Sequence, residues 1–195
     1  MENELVFHEH KVFAGIDYTG EILQQMDFYN CKFQSCVFVK SDLRKSSFED
    51  CTFENCNFTM TNVEETGFRN ASFKGCKILG IDFTRCNKFL FSFKFEGCLM
   101  DYCIFYGSKL KKTDFINCSL KEADFTEADL SSSDFSKSDL TGTIFSNTIL
   151  ENADFRGATN FSIEPEFNRM KKAKFLVYQL EGLLFKYQLD VDYNV

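Results

Sequence analysis

The chain has 195 residues, with 29 acidic against 22 basic side chains for a net charge of −7, and an aromatic set of 25 Phe, 7 Tyr and no Trp. Hydrophobic residues at 44% and charged residues at 26% lie in the globular range, which excludes wholesale disorder and collagen-like sequence. The acidic balance also argues against binding nucleic acid by phosphate neutralisation, which needs clustered Lys and Arg.

At the N-terminus, residues 1–12 carry no positively charged segment followed by an apolar run, and nowhere do 18 apolar residues run together. This predicts a cytoplasmic protein that does not enter a membrane. Nine Cys, none spaced C-x-x-C, then predict free thiols rather than a disulfide framework or a zinc site. Leu5 to Val12 alternates weakly and is expected to form an N-terminal cap, 1–12, covering the segment that begins at Phe13. His8 and His10, within it, read as exposed surface side chains.

From Phe13 the sequence has a period of five. A large apolar residue stands at Phe13, Tyr18, Leu23, Phe28, Phe33, Phe38, Leu43, Phe48, Phe53, Phe58, Val63, Phe68, Phe73, Ile78 and Phe83. The register slips by two near 86–90 and resumes at Leu90, Phe95, Met100, Phe105 and Leu110, continuing to Phe155. Two places before most of these anchors lies a small residue: Cys, Ser, Thr or Ala. Five matches neither the 3.6 of a helix nor the 2 of a strand, so neither element buries this pattern on one face.

A stacked coil does. If each pentad is one side of a square, residues twenty apart stack at about 4.8 Å, the spacing of neighbouring strands. Counting twenty per coil, and twenty-two across the slip, gives the column Phe13, Phe33, Phe53, Phe73, Phe95, Phe115, Phe135, Phe155 and Phe175, every member a Phe. The same count aligns Cys36, Cys56, Cys76, Cys98 and Cys118. Parallel Cβ vectors suit neither disulfide nor tetrahedral zinc geometry, so these Cys are expected to act as small buried hydrophobes.

The units Ala123-Asp124-Phe125, Ala128-Asp129-Leu130 and Ala153-Asp154-Phe155 resemble the pentapeptide-repeat family, and the match runs over roughly 13–175. The resemblance implies an all-β solenoid: a right-handed quadrilateral β-helix of pentapeptide repeats with a C-terminal capping α-helix. Eight steps of about 4.8 Å make a rod roughly 38 Å long, held by nearest-neighbour stacking and closed at both ends by caps.

Two irregularities interrupt the repeat. In Cys86-Asn87-Lys88-Phe89-Leu90-Phe91-Ser92-Phe93 the expected anchor is Leu90, which turns Phe89 and Phe91 outward as candidate partner contacts. Between Thr113 and Phe155, nine acids face only Lys121 and Lys137, leaving the remainder with 20 charges of each sign. Asp114, Asp134 and Asp154 are twenty apart and form one outward column. Ordered negative charge on a rod imitates the phosphate face of a duplex and fits a basic DNA-binding groove. Asp before the anchor also serves to bond turn N–H groups, which would give such a column without any partner.

Past Phe175 the period changes. Leu176, Val177, Leu180, Leu183, Leu184 and Tyr187 fall on one face of an amphipathic helix of about three turns, and Leu189, Val191 and Tyr193 alternate as a short strand. This segment, 176–195, is expected to cap the open end of the rod and to pair with the same helix of a second chain as a homodimer.

No placed base, nucleophile, phosphate loop or cofactor motif stands out, so the reading is non-enzymatic, with no metal and no cofactor. The family's Qnr-type quinolone-resistance members, which the chain resembles in size and C-terminal helix, imply a DNA mimic that binds DNA gyrase and topoisomerase IV. The alternative is a structural or scaffolding repeat protein with another protein partner. Its two-residue break is too short to be one of the long contact loops of those members.

Overall fold

The computed structural model describes residues 6–89 and 91–190. Leu5, Leu90, Val191 and Tyr193 lie outside them. Each pentad spends three residues on a side of the coil and two on a corner. The second corner residue adopts the left-handed conformation in turn after turn, as at Ser35 (φ 52°), Lys40 (φ 56°) and Lys45 (φ 62°). For a side chain with a Cβ this conformation costs about 1–2 kcal/mol. It is held because the corner N–H donates to a carbonyl of the next coil: Ser35 to Glu54 at 2.8 Å, Lys40 to Thr59 at 3.1 Å, Lys45 to Glu64 at 3.2 Å. Anchor N–H groups do the same, Phe38 donating to the Asn57 carbonyl at 2.7 Å, and Asn57 N–H returns a bond to the Cys36 carbonyl at 3.0 Å.

The strands are short: β1 (Val6–Glu9), β2 (Val12–Ala14), β3 (Met26–Tyr29), β4 (Lys32–Gln34), β5 (Ser47–Glu49), β6 (Thr52–Glu54), β7 (Gly67–Lys74), β8 (Phe91–Glu96) and β9 (Asp114–Ile116). They form parallel ladders on two adjacent sides, β1–β3–β5 and β2–β4–β6, which meet at β7, a strand long enough to turn the corner between them. From β7 the sheet continues through β8 to β9. The other two sides are tied by single bridges, such as Val37 to Asn57 and Asp42 to Asn62. The chain is thus an all-β solenoid with four-sided coils.

Among the described residues the N-terminal segment does not lie across the rod. Val6–Glu9 pairs in register with Met26–Tyr29, so β1 adds one more side to the stack. His8 therefore occupies the Phe28 column, half-buried, with its ring 5.0 Å from Phe28 and 5.5 Å from Phe13. Burial, and then the neighbouring Lys11, hold its pKa below the usual histidine value. Only His10 is exposed as expected. A β3 edge with open N–H and C=O groups offers more hydrogen bonds along its length than a flat end does, which explains the difference.

Inside, the Phe column is continuous. From Phe13 to Phe175 its eight steps measure 4.7–5.4 Å between ring centroids, and no pair is tilted by more than 21°. Rings on adjacent sides meet edge to face, as Phe33 and Phe48 do at 71°. Both arrangements suit the aromatic quadrupole and contribute about 0.5–1.5 kcal/mol per pair beyond burial.

The small positions do more than save space. Hydroxyls and thiols there donate to the carbonyl 23 residues back, in the previous coil: Cys56 to Phe33, Thr61 to Phe38, Thr66 to Leu43, Ser133 to Leu110, Ser138 to Phe115 and Thr148 to Phe125. All nine Cys are free and buried. Burial pushes the Cys51 and Cys103 thiols up to about 12, which keeps them protonated and unreactive.

The register slip is resolved within a few residues. Asn87 N–H still bonds the Thr66 carbonyl, the ordinary offset of 21, whereas Phe91 already pairs with Phe68. At Phe91 the register is therefore three residues ahead of the ordinary count, and Lys88 and Phe89 lie exposed on the surface. One is recovered at a bulge, after which Phe93 pairs with Ala71 and Phe95 with Phe73. Register thus gives the place beside Phe68 to Phe91; the expected anchor Leu90 is outside the described residues.

At the C-terminal end, Val177–Leu183 and Phe185–Tyr187 wind as 3-10 helix, so the helical segment is present but tighter than an α-helix. Gly182 lets it sit close to the last coil: a Cβ there would come within 2.5 Å of both the Phe161 ring and the Phe161 carbonyl. The Gly182 carbonyl accepts the Ile163 N–H at 2.9 Å.

Candidate functional site

Three surfaces stand out on the rod, and the acidic column is the first. Asp114, Asp134 and Asp154 are joined by successive parallel bridges, in one outward line. Their surroundings differ. Asp154 is held by Arg156 at 2.7 Å and Lys174 at 3.5 Å, and the Arg156 hydrogen bonds above all bring its pKa down to about 2. Its charge is compensated on the spot. Asp114 and Asp134 have no ion-pair partner among the described residues, and neither do Glu122, Asp124 and Glu127. The other acids of the region are matched: Asp129 with Lys111, Asp139 with Lys121, Glu151 with Arg169.

Most of these Asp also bond the N–H two residues ahead. Asp124 accepts from Thr126, Asp129 from Ser131, Asp134 from Ser136, Asp139 from Thr141 and Asp154 from Arg156, at 2.8–3.1 Å. This turn-bonding role is the local reason for Asp at that place of the pentad.

The insertion makes the second surface. Phe89 is 96% exposed, and its N–H is tied to the Asn87 side chain at 3.0 Å. Phe91 does not point outward as the sequence predicts; it is half-buried, edge-on to Phe93 at 4.7 Å. Buried Phe93 fills a place that is small elsewhere, so Phe91 is drawn in against it. A groove of about 520 Å³ opens beside them, with Phe83, Thr84, Lys88 and Lys109 on its walls.

The third surface is the C-terminal segment. Leu176 and Leu183 are half-buried against the rod, whereas Val177, Leu180, Leu184 and Tyr187 are exposed. What docks the segment is polar: buried Gln179 accepts from Leu176 N–H at 2.9 Å and Gly157 N–H at 3.3 Å, and donates to the Ala158 carbonyl. Exposed Tyr178 and Phe185 extend the apolar strip. The helical spacing identified the apolar residues but not Gln179, whose role depends on the carbonyl and N–H groups left open by the last coil.

Among the described residues no three His, Cys, Asp or Glu side chains are grouped as a metal ion requires, and no helix is long and apolar enough to cross a membrane.

The model for the pentapeptide repeat region matches residues 46–115, and that for pentapeptide repeats (8 copies) matches 22–59, 103–142 and 134–161. The chain is a pentapeptide-repeat protein. None of the curated proteins matches it. Among solved structures, this repeat protein is similar to a trypsin-treated form of QnrB1, a plasmid-mediated fluoroquinolone resistance protein, with 17% identity and a TM-score of 0.68. That match covers 98% of this chain and 95% of the other. Full-length QnrB1 matches at 16% identity and a TM-score of 0.62, over 94% and 100% of the two chains. At such identity the likeness is one of fold.

Proposed function

We propose that this pentapeptide-repeat protein is a non-enzymatic docking rod whose acidic half binds the basic DNA groove of a type II topoisomerase, DNA gyrase or topoisomerase IV, in place of DNA. The observation that carries the reading is the set of acids without an ion-pair partner among the described residues, Asp114, Glu122, Asp124, Glu127 and Asp134, held at fixed places on a rigid rod. Charge fixed in this way costs no ordering on binding and steers a cationic groove towards the rod. The fold-level likeness to a fluoroquinolone resistance protein supports the choice of partner. Asp154 contributes little on this reading, since Arg156 and Lys174 already neutralise it.

The scaffolding alternative has its own support, because the turn bonds of the Asp series explain these residues without a partner. Gyrase supercoiling and topoisomerase IV decatenation with ciprofloxacin, each with and without the protein, separate the two. The topoisomerase reading expects inhibition of supercoiling or protection from the drug. It expects that effect to vanish in an Asp114→Lys/Asp134→Lys variant of unchanged circular dichroism, and to persist in Asp154→Asn. No effect of the native protein on either enzyme favours the scaffold.

A further inference from the structure

Beside Lys88 and Phe89 lies a groove whose lining charge is opposite to that of the acidic half. Its floor and walls are aromatic: Phe83 is buried beneath it, Phe91 is half-buried, and Phe89 stands free at the rim. At about 520 Å³ it has the size of a site for one large side chain and its flanking backbone. Lys88 and Lys109 line it, and Lys112 follows at the next corner. Among the described residues these three ammonium groups have no acidic partner, whereas the adjacent Lys111 is engaged by Asp129 at 3.2 Å. In a chain of net charge −7, unpaired Lys around an exposed apolar groove calls for a complementary anion with an apolar anchor.

We infer that this groove binds an acidic peptide segment of a partner protein, with one aromatic or large aliphatic side chain inserted between Phe89 and Phe91 and flanking carboxylates on Lys88 and Lys109. Aromatic side chains and Lys also suit single-stranded nucleic acid, but the surface favours the peptide. Asp124, Glu127 and Asp129 lie on the following coil, where they repel a long uniform polyanion. A peptide concentrates its charge beside one apolar residue. The surface is separate from the acidic column and does not depend on what that column binds.

Fluorescence anisotropy with the full chain tests this. The probe is a labelled nonapeptide with a central Phe flanked by Asp and Glu. Its controls are the same peptide with central Ser, the same peptide with Lys for every acid, and a labelled oligothymidylate of nine nucleotides. The acidic Phe peptide is expected to bind about tenfold more tightly than each control, a difference on the scale of one good anchor. Lys88→Glu, Lys109→Glu and Phe89→Ser should each remove most of that preference. Lys171→Glu, on the same side of the rod but three coils away, should leave it. Equal binding of the controls, preference for the oligothymidylate, or indifference to all three groove variants overturns the proposal. The variants lie at exposed positions, so retained circular dichroism distinguishes lost contact from lost fold.

Discussion

Ser138 shows how much one atom does in this repeat. Its hydroxyl donates to the Phe115 carbonyl at 2.6 Å and accepts the Cys118 N–H at 2.8 Å, both in the previous coil and both buried. Ser138→Ala leaves two backbone groups without partners, so stability in urea unfolding should fall by about 1–3 kcal/mol. Ser138→Cys keeps a donor and should recover part of the loss, since Cys56 and Cys76 already make the equivalent bonds to Phe33 and Phe53. Equal loss in both variants would show that the thiol does not replace the hydroxyl's bonds at this place. The sequence makes the smallness of the position plain, because Cys, Ser, Thr and Ala alternate there. It does not reveal that the first three share a donor, since the acceptor lies 23 residues away and a linear reading measures only size. The same limit hid the fate of Asp154, whose neighbour Arg156 is visible but whose second cation, Lys174, arrives only when the coils stack.

Among the elements, those that repeat were legible and those that end or interrupt the repeat were less so. The anchor columns follow from counting alone, and the Phe stack bears the count out through all eight steps. The insertion also showed in the count as a net change of two. How it is taken up, with the register three ahead at Phe91 and one recovered by Phe93, depends on Phe93 entering the core and drawing Phe91 after it. At the C-terminus the apolar spacing pointed to a helix, while the contacts that seat it belong to Gln179 and Gly182. Gln179→Ala removes a side chain that answers two backbone groups of the rod's end, at Gly157 and Ala158, and the Leu176 N–H of its own segment, and should cost about 1–3 kcal/mol. Protease nicking at the C-terminal segment should appear well before global unfolding. If nicking and unfolding move together, the segment is part of the cooperative unit rather than a seated cap.

For the whole molecule, Val177, Tyr178, Leu180, Leu184, Phe185 and Tyr187 form an exposed apolar strip towards the C-terminal end of the described residues. A strip of this kind on a folded chain marks an interface, and we expect a homodimer joined end to end through it. Light scattering should give twice 22.6 kDa for the native protein and 22.6 kDa for Leu180→Asp/Leu184→Asp; a native protein that already runs at the lower mass refutes the pairing. The corner bonds carry a different consequence. Because they run from one coil to the next, the chain is tied along the rod axis in rungs about twenty residues apart, while the local bonds, such as Ser41 N–H to the Phe38 carbonyl, only close single corners. Pulled from its two ends, such a chain yields like a zip rather than a knot. Each coil that lets go frees twenty residues, or about 65–70 Å of extended backbone, so the force trace should be a sawtooth of even teeth, with one tooth displaced where the loop breaks the count.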